Sequence, residues 1–340
     1  MPLTRRAFLA RLLVASLGFK AANLSGDAVY AMVAGESATQ PVGVLWGARC
    51  LGGAQAGSPN HGLTDAAEMK RMEELLGRRF RAERFYWQLG QTWPSRASKE
   101  SVALGRIPVI SFGPSALTWA QVAEGQADSK LRSNYRALKS AGGLFLEAIL
   151  GFQNEPESKT QEKGTAADYR AAYRRCVELA RSEGLPNKWT TFLMEYTWRT
   201  RNPDDWWPGD DVCDYLGVQG YGSAVPTADA QACRKNVKFW RSFLDVFEAP
   251  HAFAVAHGKP MLLGEWGQRE DRLTPNPQRK ADWFKAARSA MKQLPAIAVS
   301  CYYHSDGRGV CAYPDTWWID SSPQAAAAFA EMGMDPYFFG

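Results

Sequence analysis

Short apolar segments alternate with helical patterns along the chain from about residue 40 onward. Eight segments are rich in β-branched or aromatic residues, which is typical of strands; they are Val42–Trp46, Arg84–Gln88, Pro108–Phe112, Leu144–Gly151, Trp189–Met194, Tyr215–Gln219, Pro260–Gly264 and Ile297–Tyr303. Helical patterns lie between several of them, at Thr64–Gly77, Leu131–Ser140, Ala166–Glu183, Cys233–Phe247 and Arg279–Gln293. Eight strands that alternate with helices favour an α/β fold in which a parallel sheet closes into a (β/α)₈ TIM barrel.

A doubly wound open sheet is the alternative to a barrel. Such a sheet usually carries a glycine-rich phosphate-binding turn after its first strand. The stretch from Gly43 to Gly57 is rich in glycine, but it contains neither Gly-x-Gly-x-x-Gly nor a Gly-Lys-Ser/Thr ending. We therefore expect the barrel, with residues 39–340 forming a single domain.

The N-terminus has the features of an export signal. Paired arginines in the segment Thr4–Leu9 are followed by a mostly apolar run, Leu12–Phe19, and this order resembles a twin-arginine signal. We expect residues 1–38 to be the signal and a short linker, cleaved near 29–31 or 36–38, so that the twin-arginine machinery exports the protein to the periplasm or beyond the cell. An ordinary amphipathic helix is the alternative. No later segment reaches about 18 apolar residues, so no membrane contact is expected after cleavage.

Charge and histidine content argue against several partners and cofactors. A formal charge of +5 and a pI near 8.8 are mild for this length, so no nucleic-acid partner is expected. The four histidines show neither His-x-His nor His-Glu-x-x-His spacing, and we expect no metal and no other cofactor. No Gly-x-Ser-x-Gly motif occurs, which disfavours an α/β-hydrolase.

The cysteines are spaced too widely for a zinc ribbon or a thioredoxin motif. None of the six forms a Cys-x-x-Cys pair; they are Cys50, Cys176, Cys213, Cys233, Cys301 and Cys311. An exported protein can form disulfides, and the two pairings that we expect are Cys301–Cys311 and Cys213–Cys233. The alternative is that all six are small buried thiols.

Two glutamates follow strands on opposite sides of the predicted ring. Glu155 comes after the fourth strand, within Gly151–Glu157, and Glu265 ends the seventh, within Leu262–Gly267. Chemistry in a (β/α)₈ barrel lies at the carboxyl ends of the strands. Hydrolysis of a glycosidic bond needs one protonated and one ionised carboxyl group facing each other across the sugar. The alternative is that each glutamate is an exposed strand-end residue without a partner.

These residues resemble the clan of retaining (β/α)₈ glycoside hydrolases (clan A). In that clan the acid/base glutamate follows an asparagine at the end of strand four, and the nucleophile ends strand seven. The resemblance implies that Glu155 is the acid/base, that Asn154 binds the sugar 2-hydroxyl and that Glu265 is the nucleophile.

A narrower resemblance is to glycoside hydrolase family 26, the β-mannanase family. It rests on residues 206–221, which read WWPGDDVCDYLGVQGY, and on residues 257–267, which read HGKPMLLGEWG. It implies that the hydroxyl of Tyr221 binds the Glu265 carboxylate. The chain departs from that family at Asn154, where the family usually has histidine, and this departure bears on the mannan assignment while leaving the wider clan intact.

Aromatic residues cluster at the predicted strand ends. The chain has 13 Trp, and sugar rings stack on such aromatic faces, although core packing is the alternative. Further substrate-binding residues are predicted among these aromatics and at the end of strand eight, with loop anchoring or a hydrogen-bonded loop histidine as alternatives; they are Trp93, Trp198, Trp266, Tyr303, His304 and Trp317.

The sequence therefore predicts a monomeric, exported, retaining glycoside hydrolase. It would act within β-linked polysaccharide chains, mannan or β-glucan-like, by double displacement without a cofactor. A transglycosylase is one alternative. Another is a non-catalytic protein that binds carbohydrate or handles exopolysaccharide on the same barrel, which the presence of both glutamates disfavours.

Overall fold

The computed structural model describes residues 43–52, 62–194, 202–222, 240–270, 276–305 and 317–339. These residues belong to one compact unit within Glu36–Gly340. Nine strands are found among them: β1 Val44–Cys50, β2 Ala82–Gln88, β3 Ile107–Gly113, β4 Ile149–Phe152, β5 in two pieces at Lys188–Trp189 and Leu193–Met194, β6 Leu216–Tyr221, β7 Met261–Gly267, β8 Ile297–His304 and β9 Phe338–Phe339. The predicted signal, Trp198, Cys233 and Cys311 lie outside the described residues.

The parallel strands close into a ring through β5. From β4 the pairing runs through β3, β2, β1, β8 and β7 to β6. The first piece of β5 pairs with Ile149 and Leu150 of β4, and the second pairs with Val218 and Gln219 of β6. The short β9 adds to β1 outside the ring. The eight-stranded parallel barrel predicted from the sequence is thus confirmed.

Helices connect successive strands and pack outside the barrel. They are α1 Asp65–Leu76, α2 Arg96–Ala103, α3 Trp119–Ala123, α4 Asp128–Ala141, α5 Thr160–Lys163, α6 Ala166–Ser182, α7 Phe243–Ala256, α8 Pro277–Gln293 and α9 Pro323–Met334. The predicted start of α1 is confirmed, because Thr64 Oγ1 accepts the Ala67 N–H at 3.2 Å. None of the described helices is long and apolar enough to cross a membrane.

Several predicted boundaries shift by a few residues, and two are clearly wrong. The apolar run Leu144–Gly151 contains a short 3₁₀ turn at Gly143–Phe145, and the strand begins only at Ile149. Helix α7 begins at Phe243, capped by Ser242, and continues through Pro250, where the sequence pattern ended the helix at Phe247. The buried face of α7 supports the helix across the proline, because packing of an apolar face outweighs local propensity.

Two of the cysteines expected to form disulfides are free thiols. Cys213 and Cys301 are buried and unpaired, which corrects the predicted Cys213–Cys233 and Cys301–Cys311 pairings. Cys50 and Cys176 are likewise buried free thiols. In these four positions cysteine acts as a small apolar residue.

The break in β5 lets Phe192 fill the barrel interior. A side chain at Gly151 would place its Cβ 2.5 Å from the Phe192 ring, and one at Gly264 would place it 2.7 Å away. The two glycines therefore provide the space that this ring occupies. The guanidinium of Arg84 lies 3.7 Å from the ring centroid of Phe192, and both residues are fully buried. Together they fill the barrel beneath the carboxyl ends of the strands.

Candidate active site

Glu265 accepts three hydrogen bonds from neutral side chains. Tyr86 of β2 donates to its Oε1 at 2.7 Å, and Gln219 Nε2 of β6 donates to the same oxygen at 2.9 Å. Tyr221, at the end of β6, donates to Oε2 at 2.6 Å. Three donors on two strands therefore fix the orientation of the Glu265 carboxyl group.

A bulge between β6 and β7 brings Glu265 opposite Gln219. Val218 pairs with Leu263, but the next residue, Gln219, pairs with Glu265, so Gly264 is left as the extra residue. Bulges re-aim a side chain and are frequent next to active sites. Here the bulge directs the carboxylate toward the donors of β2 and β6.

Both tyrosines that bind Glu265 are held in their protonated form. Burial, followed by the negative charge of Glu265, raises the pKa of Tyr86 well above its ordinary value, and the same two causes raise the pKa of Tyr221. Each phenol therefore keeps the proton that it donates to the carboxylate.

A strained turn presents Asn154 and Glu155 after β4. Gln153 and Glu155 adopt left-handed backbone conformations with φ of 60° and 46°, which costs about 1 kcal/mol or more for each non-glycine residue. The turn is held on both sides, because Glu155 N–H donates to Phe192 O at 3.0 Å and Gln153 Nε2 donates to Asn154 O at 3.0 Å. Strain of this kind is concentrated at functional sites.

Glu155 remains protonated at neutral pH. Burial, followed by the negative charges of Glu265 and Glu157, raises its pKa to about 8. Lys159 and Arg84 oppose this rise without cancelling it. The site therefore holds a protonated carboxyl group near a hydrogen-bonded carboxylate, which is the pairing that acid-assisted displacement requires.

The amide of Asn154 is oriented by two donors. Arg84 Nη2 donates to its Oδ1 at 2.8 Å, and Gln219 Nε2 donates to the same atom. Arg84 is itself held by Ser111 Oγ at 3.0 Å. Since the oxygen of Asn154 accepts two bonds, the amide NH₂ is the group left for another partner.

Aromatic rings line one side of the glutamates. The ring of Trp317 lies 4.8 Å from that of Tyr221 and 6.3 Å from that of Tyr303, measured between centroids. Burial and the charge of Glu265 raise the pKa of Tyr303 to about 12. Tyr303 and Trp317 are thus grouped with Tyr221 beside Glu265.

Two predicted sugar-binding tryptophans lie in the layer between the barrel and the helices. Trp266 is fully buried, with ring contacts to Trp283 of α8 and Phe329 of α9. Trp93 is also buried and packs against Trp87 and Phe112. Successive residues of a strand face opposite sides, so the position of Glu265 inside the barrel turns Trp266 outward. Both tryptophans are thereby removed from the candidate sugar-binding residues.

His304 is a structural residue in the same outer layer. It is fully buried, its Nε2 lies 2.8 Å from Glu68 Oε1 of α1, and its Nδ1 accepts the Ile319 N–H at 3.0 Å. An Nδ1 that accepts leaves the ring proton on Nε2, which then donates to Glu68. Both ring nitrogens are therefore occupied. The prediction that His304 binds substrate is wrong, and the side chain instead links Glu68 of α1 to the backbone at Ile319.

Sequence reasoning missed Tyr86 and Gln219. The available signal was period-two alternation, since Tyr86 lies two residues after Arg84 in β2 and Gln219 lies two residues before Tyr221 in β6. Within the described residues, no group of His, Cys, Asp and Glu could hold a metal ion.

Comparison with known proteins relates this architecture to glycoside hydrolases. An endo-β-1,4-mannanase of family 26 from Cellulomonas fimi superposes with a TM-score of 0.59 at 16% identity, covering 92% of this chain and 74% of that one. A family 26 β-mannanase from Bacteroides ovatus gives 0.54 at 15% identity, over 87% and 90% of the two chains. A family 5 endoglucanase from Bacteroides salanitronis gives 0.53 at 14% identity, over 93% and 98%.

The chain has the fold of these glycoside hydrolase barrels. No family model and no curated protein sequence matches it. At this level of identity the likeness concerns the barrel alone.

Proposed function

We propose that this protein is an exported retaining glycoside hydrolase that cleaves a β-linked polysaccharide, mannan or β-glucan-like, within the chain. The observation that carries the proposal is the pairing of Glu155, whose pKa is raised to about 8, with Glu265, which accepts hydrogen bonds from Tyr86, Gln219 and Tyr221. The names of the similar structures, a mannanase and an endoglucanase, support the choice of substrate class.

In the first step Glu155 acts as the acid. Its proton passes to the glycosidic oxygen as the bond from that oxygen to the anomeric carbon breaks. A carboxylate oxygen of Glu265 forms a new bond to the anomeric carbon from the opposite face, giving a glycosyl ester and a free sugar hydroxyl.

In the second step Glu155 acts as the base. Esterification removes the negative charge of Glu265, which is one of the causes that raise the pKa of Glu155. The ionised Glu155 then takes a proton from water as the water oxygen attacks the anomeric carbon and releases the Glu265 carboxylate. The configuration of the sugar is retained.

Asn154 and the aromatic side chains would hold the sugar. The NH₂ of Asn154 makes no bond to any residue that the structure describes, since Oδ1 is the atom that accepts from Arg84 and Gln219. It is therefore available to donate to the sugar 2-hydroxyl. Tyr303, which is partly exposed, offers a ring face beside Tyr221. Trp317 is buried, with 3% of its surface exposed, and packs against the ring of Tyr221. Trp198 remains a candidate of the same kind, outside the described residues.

The proposal is tested by product analysis on mannan, β-glucans, xylan and bacterial exopolysaccharides. The wild type should release oligosaccharides from one of them, and Glu265→Ala should release none until azide is added as a substitute nucleophile. Glu248→Ala, on the exposed face of α7, is the matched control and should match the wild type. Near-normal cleavage by Glu265→Ala, or no cleavage by the wild type on the whole panel, would contradict the proposal.

A further inference from the structure

One side-chain amide joins the two halves of the candidate site. Gln219 Nε2 donates to Glu265 Oε1 at 2.9 Å and also to Asn154 Oδ1. A glutamine amide nitrogen carries two hydrogens, so both are used, one on each side of the barrel. Gln219 is buried, with 3% of its surface exposed.

The orientation of this amide is determined by its two acceptors. Turned over, the amide would place its oxygen against two other oxygens, Glu265 Oε1 and Asn154 Oδ1. Within the described residues Gln219 Oε1 has no hydrogen-bond partner. The orientation of the amide is therefore determined by the two bonds that Nε2 makes. A buried polar atom without a partner is costly, which indicates that the two bonds on the nitrogen side dictate the arrangement.

We propose that Gln219 is a positioning residue for the reaction, which orients the attacking carboxylate of Glu265 and the sugar-binding amide of Asn154 through one shared NH₂ group. The inference rests on the proposed function. It adds that the nucleophile and the residue beside the acid are aligned by the same side chain, so that neither can turn without breaking a bond to Gln219.

Charged and titratable groups face Glu265 from several strands. Glu155 approaches from the turn after β4, Tyr86 and Arg84 from β2, Tyr221 from β6 and Tyr303 from β8. Both tyrosines bonded to Glu265 remain protonated over the acidic range. Among the three donors to this carboxylate, Gln219 is the one that also binds Asn154.

The first test replaces Gln219 by leucine and by glutamate. Gln219→Leu removes the NH₂ group that donates to Glu265 and to Asn154. We expect kcat/KM to fall about 10- to 100-fold, with the loss in kcat rather than in KM, because a misaligned nucleophile affects the transition state more than substrate binding. Gln219→Glu places a carboxylate against both acceptors instead of a donor, and its loss in kcat should be larger. An unchanged kcat in both variants would overturn the proposal.

Controls separate this inference from folding and from the proposed function. Gln324→Glu, an exposed residue in the first turn of α9, makes the same change of charge and should keep the wild-type kcat and KM. Thermal unfolding shows whether each variant is folded. If the wild type cleaves no substrate, the proposed function fails, and a crystal structure of Gln219→Leu still tests the positioning. In that structure we expect the Asn154 amide and the Glu265 carboxylate to be rotated from their wild-type orientations. If both kept their positions, the positioning role of Gln219 would be refuted.

Discussion

Tyr86 Oη lies 2.7 Å from Oε1 of Glu265, a residue 179 positions later in the chain. The bond joins β2 to β7 across the inside of the barrel, so only closure of the ring brings these side chains together. Together with Tyr221 and Gln219, Tyr86 fixes the orientation of this carboxyl group. The contribution of each tyrosine hydrogen bond to the reaction can be measured, because phenylalanine keeps the ring and removes only the hydroxyl group.

We expect Tyr86→Phe and Tyr221→Phe each to lower kcat/KM by about 10- to 100-fold, the range for loss of a hydrogen bond to a charged group. Steady-state kinetics on the substrate found for the wild type will measure the change. Tyr337→Phe removes a hydroxyl that bonds Met291 O at 3.4 Å and is the matched control. Wild-type rates in both site variants would show that the bonds do not serve the reaction.

The basic limb of the pH profile should respond to charges near Glu155. The charge of Glu157 contributes to raising the pKa of Glu155 to about 8, and that of Lys159 lowers it. Glu157→Gln should therefore move the limb to lower pH, and Lys159→Met should move it to higher pH. The two variants control for each other, because they should move the basic limb in opposite directions. If both moved it in the same direction, the role of Glu155 as the acid would be contradicted.

The space around Phe192 should tolerate no further atoms. Gly264→Ala and Gly151→Ala would each press a methyl group against this ring, at 2.7 and 2.5 Å, and should lower the free energy of unfolding by about 1–3 kcal/mol. Gly333→Ala in α9, where the added atom would lie 3.4 Å from Trp46 Nε1, should be neutral or stabilising. Denaturant unfolding measures all three, and equal stabilities would contradict the packing.

His304→Ala should destabilise the fold while sparing the reaction. It removes the acceptor of the buried Ile319 N–H and one of the two donors to Glu68 Oε1, which Arg71 still binds. The N–H left unpaired costs about 1–3 kcal/mol. The neighbouring Tyr303→Ala should show the reverse, a larger loss in kcat/KM than in stability. A His304→Ala variant with wild-type stability and abolished turnover would restore the residue to the substrate site.

The contribution of His304 should also depend on pH. Glu68 is penalised by burial, but its hydrogen bonds to Arg71 and His304 lower its pKa below the ordinary value. A carboxyl whose pKa is lowered on folding adds stability above its unfolded pKa and loses it as the pH falls through the folded pKa. The destabilisation by His304→Ala should therefore be smaller in acid than at neutral pH, as paired unfolding curves would show.

Export can be tested apart from catalysis. Replacing Arg5 and Arg6 by lysine in the full chain should leave the precursor inside the cell, because twin-arginine signals depend on the paired guanidinium groups. Replacing Arg78 and Arg79 by lysine makes the same change within the barrel domain and should not affect export. Immunodetection of cell fractions measures both, and normal export of the first variant would contradict this route.

The barrel and the strand-end positions of Glu155 and Glu265 could be predicted because both depend on local patterns. Apolar periodicity indicated eight strands, and strand order placed Glu155 and Glu265 on facing sides. Alternation within β7 could also have separated Glu265 from Trp266, since neighbouring residues of a strand face opposite ways.

The partners of Glu265 could not be predicted in the same way. Tyr86 and Gln219 meet it only because the ring closes and because the bulge at Gly264 shifts the register of β7. His304 was misplaced because its partner, Glu68, lies 236 positions away in a helix. Each depends on tertiary geometry that no local pattern carries.

The two-piece form of β5 makes the fifth strand a weak join of the barrel. Lys188 and Trp189 pair with β4, and Leu193 and Met194 pair with β6. Thr190 between them adds a single bridge to Tyr215, whereas β2 and β3 pair along their whole length. Local opening takes place where few bonds must break. Phe192, whose carbonyl holds Glu155, lies in this gap. Glu155, the proposed acid, would therefore lose its position in mild denaturant while the rest of the ring stays folded, so inactivation should precede unfolding.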